Sequence, residues 1–408
     1  MDGLERNVGE PDGAVDWRVH QGARPVSMTS LKGLTTDAAR VLELDGLRGL
    51  AALCVVVFHT NSRWMPGGWA AVDVFFGLSG FLITSILLKH GDSPRFLLRF
   101  YMRRGLRIWP IYYLCLVGFI LFNRKLPGRC NWSGLWYYLT YTHNIALYWS
   151  GPNPAFHRFL GHTWTLSIEE QFYILWPLLV VFLGLKRLPL LAALCVLVSV
   201  IARGRGWSGC LLLGRMDGLG LGAMLAAFLH RDSLMRRRAS PVLVAIVSLS
   251  VVMLATIAAK VGLGLPDDIP PWPGVTILGI NLCAVGLIGL VVVHAGKRAT
   301  APLRWAPIAY LGRISYGLYL YHYIILWIFA RHLRVAAPAN MPFPQIASAL
   351  LLCFAVASLS WVLIEQPILR LKRHFEYQQA RMTSFSTIAR PESQPAATPR
   401  LSRSTQMP

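Results

Sequence analysis

Residues 69–88 read WAAVDVFFGLSGFLITSILL, twenty residues with one formal charge, Asp73. A helix of that length rises about 30 Å, the thickness of a bilayer's hydrocarbon core, so the stretch is long and apolar enough to span one. Comparable runs recur along the chain, separated by Gly, Pro and charge clusters. They predict spans at 44–62, 69–88, 106–123, 168–185, 188–203, 210–230, 241–262, 273–295, 307–330 and 345–366. The expected fold class is therefore all-α, a polytopic membrane helix bundle of about ten transmembrane helices. Trp132 to Trp149 is also apolar but dense in Tyr and Trp, and it reads as an interfacial segment rather than a span.

Composition agrees with that reading. Of 408 residues, 54% are hydrophobic and 14% charged, too few charges to cover a soluble protein of this length. Lys and Arg number 40 against 19 Asp and Glu. The excess sits between apolar runs and forms no helical stripe, which argues against nucleic acid and for the anionic leaflet of a membrane. With the N-terminus inside, 29 of the 40 basic residues fall on inner segments. The positive-inside rule then places both termini in the cytoplasm and the protein in the inner (plasma) membrane as a multi-pass chain. Residues 1–40 and 373–408 read as disordered cytoplasmic tails, and 41–372 as the membrane domain. Cys54, Cys115, Cys195, Cys283 and Cys353 lie inside apolar segments and act as small hydrophobes; Cys130 and Cys210 fall on the outer side, where a disulfide is one reading. There is no CxxC pair or zinc-ligand spacing, and no inverted repeat of transporter type.

Against this background a few ionisable residues stand out. Arg48 and His59 are 11 residues apart in the first span, about three turns, so they share one helix face roughly 16 Å apart along the axis. An ionisable side chain within a span is costly and marks function by default; the alternative is that His59 only caps the outer helix end. Asp45, three residues before Arg48, can pair with it. Arg104 and Arg107 stand at i and i+3 at an inner helix end, suited to bidentate phosphate binding or to ordinary inside charge and lipid phosphate. Ser167 and Glu170 fit a capping box; alternatively a carboxylate here faces a polar outer cavity, where it orients a histidine or binds sugar hydroxyls. Ser315, Tyr319 and His322 share a face of the ninth span and read as a packed polar stripe. Gly77-Leu78-Ser79-Gly80 has the look of a serine-protease nucleophile motif, but His322, set among tyrosines, is too crowded to serve it; close helix packing at Gly77 and Gly80 is the simpler account.

Seven motifs then occur in order: LDGLRGLAAL…FH, VDVFFGLSGFLI, FYMRRGLRIWP, HTWTLSIEEQFY, RMDGLGLGA, ISYGLYLYH and IEQP. On these, from about Leu42 to Lys372, the chain resembles the membrane-bound acyltransferase 3 family, bacterial O-acyltransferases that modify surface glycans. Thr165 stands where serine is commoner in the family, and Gly77 where a larger apolar residue is common. The resemblance implies that Arg48 and His59 form the family's Arg-x10-His motif and Arg104 and Arg107 its Arg-x-x-Arg motif. It implies cytoplasmic acyl-CoA, usually acetyl-CoA, as donor substrate, with no permanently bound cofactor and no metal. The acceptor is then a carbohydrate hydroxyl on the far side: surface polysaccharide, lipopolysaccharide O-antigen or exopolysaccharide. Expected partners are thus acyl-CoA, the carbohydrate and membrane lipids. Some relatives have an extracytoplasmic hydrolase-type domain; none is expected here, because only a tail follows Pro367. Under this reading His59 and Glu170 are the catalytic candidates, with Arg48, Arg104 and Arg107 holding the donor. His59 acts either as general base or as acyl carrier. A small glycosylated acceptor (a macrolide or lipo-oligosaccharide) and a proton-coupled transporter are the rival readings.

Overall fold

A computed structural model describes residues 41–123, 134–150, 159–231, 233–261 and 273–377. Every regular element among them is helical. The long helices are α1 (Leu42–Thr60), α2 (Val72–His90) and α3 (Phe96–Asn123), followed by two short ones, α4 (Leu135–Leu139) and α5 (His143–Ser150). Then come α6 (Trp164–Leu183), α7 (Leu188–Gly204), α8 (Leu212–Arg231), α9 (Ser233–Val261), α10 (Pro273–Val293), α11 (Ala306–His332) and α12 (Phe343–Ser360). A π-helical turn, Trp361–Glu365, leads into α13 (Gln366–Arg370).

Ten long helices thus stand where ten spans are predicted. The aromatic stretch forms α4 and α5, five and eight residues long and therefore too short to cross a membrane. Eight helices are long and apolar enough to span by themselves; α1 and α11 are not among them. In α1 the cause is plain, since Glu43, Asp45 and Arg48 all fall within its first seven residues. The two helices that fall short of the simple span criterion are the two that carry the paired histidines of the site. The protein is an all-α, multi-pass membrane bundle.

Some boundaries move. α3 begins at Phe96, ten residues before the expected start at 106, so Arg104 and Arg107 lie well inside a helix rather than at its end. α6 begins at Trp164, so Ser167 sits inside the helix and the capping box does not form; the Ser167 hydroxyl instead meets His143 Nδ1 at 2.9 Å. Helical structure continues past Lys372 to Phe375, and Tyr377 stacks on His90 with ring centres 4.6 Å apart. Arg103 holds this end down, donating to the Lys372 carbonyl at 3.2 Å and lying over the Tyr377 ring. The tail assignments at 1–40 and beyond 377, and the pairing of Cys130 with Cys210, fall outside the described residues.

Burial sorts the helices into inner and outer. About half or more of the apolar windows of α2, α8 and α10 is covered by protein, against 11% for α9, which leaves α9 facing lipid. Close approach of backbones builds the interior. A methyl group on Gly80 of α2 would run into the Leu219 carbonyl of α8, which bears out the packing role read for the Gly77–Gly80 segment. Likewise, a methyl on Gly49 would meet the Gly312 amide nitrogen, so α1 and α11 lie backbone to backbone. That contact brings their far ends, His59 and His322, together. Two buried ion pairs tie the rest: Arg203 of α7 to Asp217 of α8, and Arg215 of α8 to Asp73 of α2, both at 2.7 Å. Removing one member of such a pair strands the other charge, at a cost of about 3–5 kcal/mol.

Candidate active site

α1 carries the site because its register keeps Arg48 and His59 on one face, while Gly49, about 100° round from Arg48, lets α11 pack close enough for His322 to reach His59. His59 lines a cavity of about 410 Å³, whose walls include Trp69, His162, Trp164, Thr165, Trp207, Arg203, Arg215 and Tyr319. Arg48 lines a second, narrow cavity of about 40 Å³, with Phe75, Glu169, Ser315 and Tyr316. The two cavities share Val72, Thr165 and Tyr319 as wall residues. They therefore abut, with those three side chains forming the neck between them. The Tyr319 hydroxyl donates to the His162 carbonyl at 2.5 Å and accepts from Thr165 Oγ1 at 2.6 Å, which holds the neck in shape.

At the Arg48 end, charge accumulates. Arg107 lies within electrostatic range of Arg48 and Arg104, and Lys372 within range of all three. The three arginines that the sequence separates into two motifs therefore form one basic cluster. Arg104 also lies over the rings of Phe100 and Tyr173, at 5.8 and 5.4 Å. The Arg48 Nε is buried without a hydrogen-bond partner. Three guanidiniums with Lys372 beside them suit a polyanionic ligand whose phosphates accept from guanidinium forks.

The carboxylate in this cavity is Glu169, not Glu170. Glu169 accepts from Ser79 at 2.9 Å and from Tyr173 at 3.2 Å. Glu170, one residue on and so turned by about 100°, accepts from Trp109 Nε1 at 3.0 Å on the other side of α6. Neither hydrogen-bonds a histidine, and both lie more than a turn inside α6 rather than at its outer mouth. The sequence reading has a carboxylate of this segment facing an outer polar cavity, to orient a histidine or bind sugar hydroxyls; Glu170 lines neither cavity and hydrogen-bonds Trp109 instead. The packing of α6 against α3 turns Glu170 toward Trp109. The Ser79 hydroxyl is engaged by Glu169 and Tyr173, so no serine–histidine nucleophile pair is assembled there.

At the other end the groups are rings. His59 Nδ1 lies 2.9 Å from His322 Nε2, and the two rings stack with centres 5.1 Å apart. Tyr323 stands edge-on to His59 at 4.9 Å. His322, read from sequence as part of a packed stripe, is thus a direct partner of His59. His162 is the third ring of the group, 5.3 Å from His322 and 4.8 Å from Tyr323 by ring centres. Both its ring nitrogens are buried without a hydrogen-bond partner. Buried polar atoms in that condition are uncommon and point to a ligand or a chemical role. His162 opens the HTWTLSIEEQFY segment, and its only sequence signal was that position. Among the described residues, no group of three or more His, Cys, Asp or Glu has an arrangement fit to hold a metal ion.

Residues 41–365 match the family model described as "Acyltransferase domain". Over 358 residues the chain is 31% identical to the putative peptidoglycan O-acetyltransferase YrhL of Bacillus subtilis, a match covering 80% of this chain and 54% of that protein. It is 28% identical to the peptidoglycan O-acetyltransferase OatA of Listeria monocytogenes, and 29% identical to the O-acetyltransferase OatA of Staphylococcus aureus, each covering 80% of this chain and 56% of the relative. The chain spans about half the length of the curated relatives it matches. No solved structure matches it. With the family model extending from the start of α1 to the Glu365 of IEQP, the chain belongs to the membrane-bound acyltransferase 3 family.

Proposed function

We propose that this protein transfers an acetyl or similar short acyl group from acyl-CoA to a hydroxyl of a cell-wall or other surface carbohydrate. The observation that carries the reading is the pair of abutting cavities, basic at Arg48 and histidine-lined at His59, along one helix. The basic cluster holds the phosphates of the donor on the cytoplasmic side, and the pantetheine arm reaches toward the neck at Val72, Thr165 and Tyr319. His59 takes the proton of the acceptor hydroxyl as its oxygen attacks the thioester carbonyl. The carbon–sulfur bond breaks, an ester bond forms, and the proton passes from His59 to the leaving CoA sulfur. General-base help of this kind is worth typically about 10²–10⁴-fold.

Trp69, Trp164 and Trp207 give the larger cavity apolar faces suited to stacking on a sugar ring. The peptidoglycan O-acetyltransferases among the relatives make peptidoglycan the first acceptor to try. The distribution of basic residues supports an inner-membrane protein with both termini in the cytoplasm. The test is purified protein in lipid nanodiscs with radiolabelled acetyl-CoA and peptidoglycan fragments. Wild type is expected to release CoA and form base-labile acetyl esters, and His59→Ala to do neither. Ester formation at the wild-type rate by His59→Ala would overturn the assignment.

A further inference from the structure

Within the acyl-transfer reading, on which the inference rests, we propose that His322 is the positioning residue that fixes which nitrogen of His59 is the base. The argument runs along three atoms. His322 Nδ1 lies 3.1 Å from the Leu318 carbonyl oxygen, one turn back on α11. A carbonyl only accepts, so Nδ1 carries the proton. In a neutral imidazole the other nitrogen is then an acceptor, and His322 Nε2 accepts from His59 Nδ1–H at 2.9 Å. That leaves His59 Nε2 unprotonated, as the nitrogen available to take a proton from a hydroxyl in the 410 Å³ cavity that His59 lines.

The arrangement repeats the logic of a base oriented by a third group, with a histidine and a backbone carbonyl where a carboxylate commonly stands. Among the described residues no carboxylate hydrogen-bonds either ring; Glu169 is bound to Ser79 and Tyr173, and Glu170 to Trp109. His322 is itself fully buried, and α12 approaches it through Cys353, whose Sγ lies 3.9 Å from the His322 carbonyl. Its ring is buried and, among the described residues, makes no other side-chain hydrogen bond, so its Nε2 is committed to His59. When His59 is protonated during transfer, its Nδ1–H keeps the same acceptor, and no rearrangement is needed.

The test uses side chains that replace one nitrogen of His322 at a time. A glutamine oxygen reaches the position of Nε2, whereas an asparagine reaches only that of Nδ1. Wild type, His322→Ala, His322→Asn and His322→Gln are compared with His59→Ala in nanodiscs, using acetyl-CoA and peptidoglycan fragments. CoA release gives kcat and KM, and equilibrium dialysis gives acetyl-CoA binding. Base-labile acetate on the surface glycan of expressing cells provides a readout independent of the acceptor fragment. Alanine and asparagine are expected to lower kcat about 10²-fold with donor KM and binding within about twofold, since misplacing a catalytic group costs about that much. Glutamine is expected to restore kcat to within about fivefold of wild type. Activity with asparagine but not glutamine would make the Leu318 contact, and hence local structure, the role of His322. Full activity of His322→Ala alongside an inactive His59→Ala would overturn the tautomer assignment and leave the acyl-transfer reading standing. An active His59→Ala, or no acetate above vector control in wild type, would bring down the reading itself.

Discussion

The two ends of α1 are built from opposite materials. Near Arg48 the neighbours are charges on three other helical segments: Arg104 and Arg107 on α3, Glu169 on α6 and Lys372 beyond α13. Near His59 the neighbours are rings held at fixed spacing, His322, Tyr323 and, one step away, His162. Coulomb attraction to several cations falls off slowly with distance, so the Arg48 end tolerates small displacements of its ligand. A hydrogen bond of 2.9 Å between ring nitrogens does not. Under the proposed acyl transfer the first end serves affinity and the second reaction geometry, and changes at the two ends should separate into effects on binding and effects on turnover.

The largest expected effect is at the ring end. His59→Ala should lower kcat by about 10²–10⁴-fold while acetyl-CoA still binds, because the base is lost but the basic cluster is intact. Equal losses in binding and turnover would mean that the two ends are not separate. Next comes the helix that joins them. One alanine inserted after Val56 turns His59 by about 100° and lifts it roughly 1.5 Å relative to Arg48. The apolar run is unchanged, so the helix should still insert, and acetyl transfer should fall about 10²-fold. Transfer at the wild-type rate would make the shared face of Arg48 and His59 incidental.

A smaller effect belongs to the basic end. Arg104→Ala or Arg107→Ala removes a charge-assisted contact worth about 1.5–3 kcal/mol, which raises the Kd for acetyl-CoA about tenfold or more and leaves the saturated rate nearly unchanged. Arg103→Ala sharpens this. Its guanidinium is already bound to the Lys372 carbonyl and stacked on Tyr377, so it should lower thermal stability more than donor affinity. Titration of acetyl-CoA against the three variants checks the ranking. The smallest effect is expected from markers placed beyond the two ends. In a background without other cysteines, Arg63→Cys should react with an impermeant maleimide in intact cells, and Lys186→Cys only after permeabilisation. Neither should alter activity, and the reverse labelling pattern would invert the donor and acceptor sides.

Several parts of this molecule are legible in its sequence. The ten apolar runs became ten long helices because a span must satisfy every backbone hydrogen bond internally, and composition alone reveals such runs. The shared face of Arg48 and His59 followed from helical period, and the close approach at Gly77 and Gly80 from the absence of side chains. Short-range geometry is enough for each of these. Glu169 and Glu170 look alike in the sequence; which of them meets the Arg48 cavity depends on how α6 is rotated against its neighbours. Ser167 had the spacing of a capping residue, yet its partner is His143, brought from α5 by the tertiary fold.

What the sequence by itself determined is thus the membrane bundle and the shared face of Arg48 and His59 on its first helix. These rest on local rules, hydrophobicity summed over a span and residues counted around a turn. Only the tertiary structure decided which groups answer them: His322 for His59, across 263 residues, Glu169 for Ser79, Asp217 for Arg203 and Asp73 for Arg215. The physical reason is that each of these contacts depends on the rotation and depth of one helix against another. Close packing at Gly49–Gly312 and Gly80–Leu219 sets those two quantities, and no period within a single helix encodes them.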